Sequence, residues 1–243
     1  MKYFFLLFLL LGLLCSGSVT TNMLQVVARK SVVSGGGGIV EDAQATTSGI
    51  GVTSLHIDLT QGSLTAGYAV VLFQVNHWGA WTISNCDYGT DASEAAMTLI
   101  QSLTWNGDFI LYIYGIDLGT SGSGAKDLEI GFSTEISEAA AVLITYSGVA
   151  QGVGAGWTKG TDSQYGTTPA VTLTKPDGDI MLAVHGNTGA VLTVNDTEEW
   201  NYPGSDFDMA ANSIFTGSGS QTCDASFSGS DWWGSVGAVL QAD

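Results

Sequence analysis

Carboxylates are the most abundant groups able to do chemistry in this chain, and the densest stretch holds Asp196, Glu198, Glu199, Asp206 and Asp208. Two of them flanking a glycosidic bond could serve as acid and base. Several on one loop could ligate calcium through hard oxygen donors. An acidic protein offers many such pairs as solvated surface charge, which is the simpler reading. His56, His77 and His185 are scattered and share no ligand spacing with a cysteine, so no metal centre is expected. The chain has no metalloprotease helix motif, nucleophile elbow or phosphate loop, and Gly35 to Gly38 lead into Ile39 rather than Lys-Ser/Thr. No catalytic residue is assigned, and the expectation is a non-enzyme.

Aromatic rings give a second chemistry. Trp78, Trp81, Trp200, Tyr202 and Trp232 lie near turn-forming residues, where exposed rings can stack on sugars. The competing role is to seal the ends of a sandwich. Strand alternation sends Trp232 and Trp233 to opposite faces, so one of the two serves the core. Asn195-Asp196-Thr197 is an N-glycosylation acceptor pattern. Cys86 and Cys223 could close one disulfide if the protein is exported, worth about 4–5 kcal/mol in the chain-entropy model for so long a loop. The alternative is two separate buried thiols.

The elements that position these residues read as strands. Tyr68–Val75, Phe109–Tyr114, Ala139–Tyr146, Asp179–Val184 and Val236–Leu240 are apolar, β-branched or aromatic runs of strand length. Ala170–Thr174 and Thr222–Phe227 alternate. Asn106-Gly107-Asp108, Ser121–Gly124, Pro176-Asp177-Gly178 and Gly217–Gly219 supply turn chemistry between them. Asp91 to Leu103 fits a helix or a strand equally well. Short strands at this spacing predict an all-β antiparallel sandwich, jelly-roll-like, over residues 39–243. The first 18 residues read as an export signal: Lys2, an apolar stretch from Tyr3 to Leu14, then Ser16, Gly17 and Ser18. Cys15 would leave with it, and the mature protein is expected outside the cell or on its surface.

Tyr88-Gly89, Ala96-Met-Thr-Leu99, Ala141-Val-Leu-Ile-Thr-Tyr-Ser-Gly-Val149, Gly178-Asp-Ile-Met-Leu-Ala183 and Val236-Gly-Ala-Val-Leu240 follow one another in an order that resembles secreted jelly-roll-like β-sandwich domains of bacterial and phage extracellular proteins. The resemblance covers about Val52 to Asp243. It departs from the family pattern at Thr90, where a second glycine is expected. It implies a fold and an extracellular setting, and transfers no catalytic residues.

Between signal and sandwich lies an arm. Met23, Leu24, Val26, Val27, Ala28, Val32 and Val33 make an extended apolar strand that also carries Arg29 and Lys30, and Gly35, Gly36, Gly37 and Gly38 form a hinge. All 23 acidic residues lie at or after Glu41, and residues 39–243 hold three Lys, a net charge of −20. That balance excludes nucleic acid and anionic lipid as partners. A cationic strand hinged to an anionic body predicts self-association: head-to-tail insertion of the arm into a neighbouring sandwich, building an extracellular filament. A secreted carbohydrate-binding or adhesive module is the alternative, with glycans as partners. No cofactor other than calcium enters either reading.

Overall fold

The computed structural model describes residues 38–90, 93–152, 157–189 and 191–243. Its strands are β1 (Val40–Gln61), β2 (Leu64–Asn76), β3 (Ile83–Thr90), β4 (Ser93–Ala96), β5 (Thr98–Trp105), β6 (Phe109–Ser121), β7 (Gly124–Ser147), β8 (Lys159–Gly166), β9 (Ala170–Lys175), β10 (Ile180–Asn187), β11 (Thr193–Val194), β12 (Thr197–Pro203), β13 (Asp208–Ile214), β14 (Gly219–Ser226) and β15 (Asp231–Leu240). All pairing is antiparallel, and no helix occurs among the described residues. Every apolar run expected to be a strand is one. The ambiguous window resolves into β4 and β5, with buried Met97 between them.

Local chemistry accounts for the sharp connections. Asn106 and Gly107 both have positive φ, 45° and 80°, in the three-residue loop Asn106-Gly107-Asp108 that joins β5 to β6, a conformation that Asn and Gly adopt most readily. Gly178, with φ of 90°, turns β9 into β10.

The long strands bend, and the bend sets the architecture. β1 pairs with β7 from Val40↔Ser147 to Gln61↔Gly124. The amide of Gly62 nevertheless donates to Asp42 Oδ2 at 2.8 Å, so the two ends of this ribbon meet. The crease lies where Val52↔Ile136 gives way to Ser54↔Gly131, beside Gly51 at φ 62°. β2 and β3 run along the other side of β7 and break at the same crease, between Asn76↔Glu138 and Ile83↔Phe132. Folding over encloses one core, with Leu55, Ile57, Tyr88, Leu128 and Ile130 facing Ala69, Val71, Phe73, Ala141 and Leu143.

Four layers result. The first is β4, β3, the start of β7 and the end of β1; the second is the other half of β1 and β7 with β2, β6 and β5. A five-stranded sheet, ordered β12-β13-β10-β15-β8, packs on the far face of the second layer through Val70, Leu72, Leu111, Val142 and Ile144 against Leu182, Val184, Met209, Val236 and Ala238. The small sheet β11-β14-β9 covers the third layer through Val171, Leu173 and Cys223 against Met181, Ala183 and Val239. Strands of the middle layers are buried on both faces, which is why β2, β10 and the end of β7 are unbroken apolar runs rather than alternating ones.

Candidate functional site

The outward face of the first layer is a field of carboxylates. Leu55, Ile57 and Leu59 point into the core, so His56 and Asp58 point out; by the same alternation Asp87 on β3 and Asp127 and Glu129 on β7 point out. Register sets Asp58 opposite Asp127 and Asp87 opposite Glu129, two like-charged cross-strand pairs of the kind that oppose sheet stability. Glu94 on β4 joins them. Its carboxyl is pushed up by desolvation against the sheet, then by Asp127, Asp87 and Glu129. His56 bonds Asp58 at 3.1 Å on this face. Among the body's lysines, Lys175 is buried and donates to the carbonyl of Asp179 at 2.8 Å, so it offers little surface charge.

The aromatic candidates separate. Trp81 sits edge-on between Tyr112 and Phe132, with ring centroids at 6.3 and 5.9 Å. Trp200 and Tyr202 tilt together at 5.6 Å and pack on the central core. These three are half-buried and pack against the cores. Trp78, 74% exposed, and Trp232, 50% exposed, remain open to solvent. Trp232 lies opposite Tyr165 of β8, edge to face at 5.7 Å, and Tyr165 is 59% exposed. Tyr165 escaped sequence reading because it is a lone ring in the polar run Lys159–Gly166; only strand register reveals its partner. Trp233 turns inward to Phe227 and Leu192, as alternation required.

The carboxylate loop does not converge on one centre. Asp196 Oδ2 accepts from Asn212 Nδ2 and the Asp224 amide, both at 3.3 Å. Glu199 is buried against Ser213 Oγ, and its carbonyl accepts from Gln44 of β1. Asp206 faces the other way, accepting from Asn76 Nδ2 at 3.3 Å. Burial pushes the Asp208 carboxyl up. The side chain of Glu198 lies outside the described residues, and among those described no three His, Cys, Asp or Glu side chains could hold a metal ion. The reach of the loop is instead set by Glu138, which the sequence gave no reason to single out. This buried carboxylate accepts from Tyr202 Oη at 2.7 Å, the Ser205 amide and hydroxyl at 3.0 and 3.1 Å, and the Asp206 amide at 2.7 Å. It pins the β12–β13 turn to β7.

A Ser-His-Asn relay crosses the third layer. His185 Nδ1 lies 2.7 Å from Ser235 Oγ and Nε2 lies 3.1 Å from Asn212 Oδ1. All three side chains are buried, so no substrate reaches the serine. Burial holds the imidazole pKa down at about 4, against the opposing pull of Asn212 and Asp224, and the relay is therefore structural. Cys86 and Cys223 are free, buried thiols in different cores, on either side of the two middle layers, which corrects the disulfide expectation. Desolvation, with Asp87 adding to it, pushes the Cys86 thiol up to about 12. Asn195 is exposed, and its side-chain amide donates to Asp224 at 3.0 Å.

The export signal, the arm Met23–Val33 and hinge residues Gly35, Gly36 and Gly37 lie outside the described residues; Gly38 begins them. Neither a family model nor a curated protein matches the chain.

Proposed function

We propose that this protein is the exported structural subunit of an extracellular filament, joined head to tail when the N-terminal arm of one copy pairs with the body of the next. The observation that carries this reading is charge segregation. Arg29 and Lys30 sit in an apolar stretch of sequence free of acids, while the body holds 23 acids against three Lys, one of them buried. The like-charged pairs Asp58–Asp127 and Asp87–Glu129, with Glu94 beside them, concentrate negative charge on the outward side of the first layer. A basic strand is drawn to such a body, and strand addition supplies main-chain hydrogen bonds at roughly 0.5–1.5 kcal/mol net each. Reversing the arm charges in the full chain (R29E/K30E) leaves the body's fold unchanged by circular dichroism and abolishes assembly in sedimentation. Fibres from that variant equal in amount to wild type would remove the electrostatic basis of the proposal.

A secreted carbohydrate-binding or adhesive module is favoured by one specific observation, the exposed Tyr165–Trp232 pair. Exposed rings can stack on the apolar face of a sugar. W232A would then eliminate glycan binding and leave sedimentation unchanged.

A further inference from the structure

Strand addition needs a sheet edge that can accept a strand, and proteins usually guard such edges with bulges, prolines or short strands. Among the described residues the sheets end on seven strands: β1, β4 and β5, then β12 and β8, then β11 and β9. Five are guarded. β1 carries two register shifts, at Glu41/Ala43 and Val52/Ser54, and its start lies beneath β12 through Gln44. Its last run, Ser54–Gln61, keeps unbroken register with β7, but the outward side chains of that run are Ser54, His56, Asp58 and Thr60, which offer an apolar strand no exposed apolar surface. β5 is bulged between Leu99 and Gln101, and β12 between Glu198 and Trp200 before it ends on Pro203. β4 has 4 residues and β11 has 2. β9 has 6 and is bounded by Pro169 and Pro176.

β8 is different. Its 8 residues pair with β15 in unbroken register from Lys159↔Ala238 to Gly166↔Asp231, with no proline. Most of its side chains are exposed, although its start, where Gly160 lies against Leu173 of β9, is covered by another layer. Lys159 at its first position and Asp162 are its only charges. At its far end Tyr165 and Trp232 present apolar surface to solvent.

We infer that β8 is the acceptor edge, and that its occupant is the Met23–Val33 arm of a second copy. The arm is long enough to span all of β8, contains no proline, and brings apolar side chains to the face of Tyr165 and Trp232, while exposed Asp162 on the opposite face can meet one of its two cations. The start of the described chain supports the choice of edge, because it lies beside β8 of the same body. The Gly38 carbonyl lies against Gly148, where an added Cβ would stand 3.1 Å from it. Val149 bridges Ala242 and the Thr158 carbonyl accepts from the Val239 amide at 2.9 Å, so Gly38 and the start of β8 flank the same end of β15. Hinge residues Ser34 to Gly38 reach about 17 Å extended. From that exit an arm laid on its own β8 runs antiparallel to it; on a neighbour's β8 the exit sets no direction. The choice of a second copy rests on the filament reading; the choice of edge does not.

Cysteine pairs in the full mature chain separate the two. V26C or V27C is combined with S163C or Q164C on β8, and with S102C on β5 as control; Cys86 and Cys223 are buried and stay silent. Under mild oxidation, non-reducing electrophoresis should show a ladder of multimers for a β8 pair and none for the β5 pair. An intrachain disulfide alone would keep the edge and overturn the filament. Fibres in the microscope without a crosslink at either β8 position, from either arm position, would overturn the edge and keep the filament. Neither fibres nor crosslinks would overturn both.

Discussion

At the scale of the residue, buried polar groups set how the body responds to its surroundings. His185 is neutral in the fold, with a pKa near 4 instead of 6.5. The unfolded chain therefore binds the extra proton first as pH falls. Stability is unaffected above about pH 6.5 and declines between there and pH 4, by roughly 3 kcal/mol in total. Urea midpoints across that range should fall for wild type and stay flatter for H185Q; equal slopes would show that His185 does not govern the decline. Glu138 is the other such residue. E138A leaves the Tyr202 hydroxyl and the Ser205 and Asp206 amides without their acceptor, at a cost on the order of 3 kcal/mol. Chemical denaturation measures it, and a loss under 1 kcal/mol would mean that water replaces the carboxylate. None of this was visible in the sequence: a lone histidine and an acid at the start of an apolar run acquire partners only through strand register.

At the scale of the element, the sequence disclosed the strands with apolar runs and withheld those without. β2, β6, β7, β10 and β15 announce themselves because the layers on both sides demand apolar residues. β1 escaped in its first half because Gln44, Thr46, Thr47, Ser48 and Gly49 carry no apolar pattern. They are buried or half-buried because β7 pairs along them, with Ile144 and Val142 opposite Gln44 and Thr46 and small Ala139–Ala141 opposite Thr47, Ser48 and Gly49. β12 also lies close to Gln44. The same multilayer packing keeps Cys86 and Cys223 apart, so a compartment argument alone could not decide the disulfide. Both thiols should resist an aromatic disulfide reagent in the native state and react in denaturant, while a reductant leaves the melting temperature unchanged. A shift on reduction would contradict the separate cores. Close approach between layers is as specific: Gly234 lies under the Trp105 ring and Gly186 under the Gln74 amide, neighbours across the β10–β15 ladder. G234A forces the indole away and should cost about 1–3 kcal/mol by thermal melting; an unchanged melting temperature would show that the layers yield.

For the whole molecule, the account turns on a body that repels its own copies and an arm that attaches to them. Bodies of −20 oppose one another over long range, whereas the arm's two cations act at contact. Raising ionic strength from 0.01 to 0.15 M shortens the Debye length from about 30 to about 8 Å, so assembly should strengthen with salt over that interval. Light scattering that falls instead would mean that arm–body attraction outweighs body repulsion. The role proposed for the arm rests on composition alone, since strand-forming residue types, a run of glycines and segregated charge are local features of the sequence. The acceptor could not be read there, because an open edge is defined by which strand lacks a neighbour. The most direct test is electron microscopy with sedimentation of the mature full chain beside a version beginning at Ile39. Fibres from the former and monomers from the latter are expected. Monomers from both, across salt, would contradict the account.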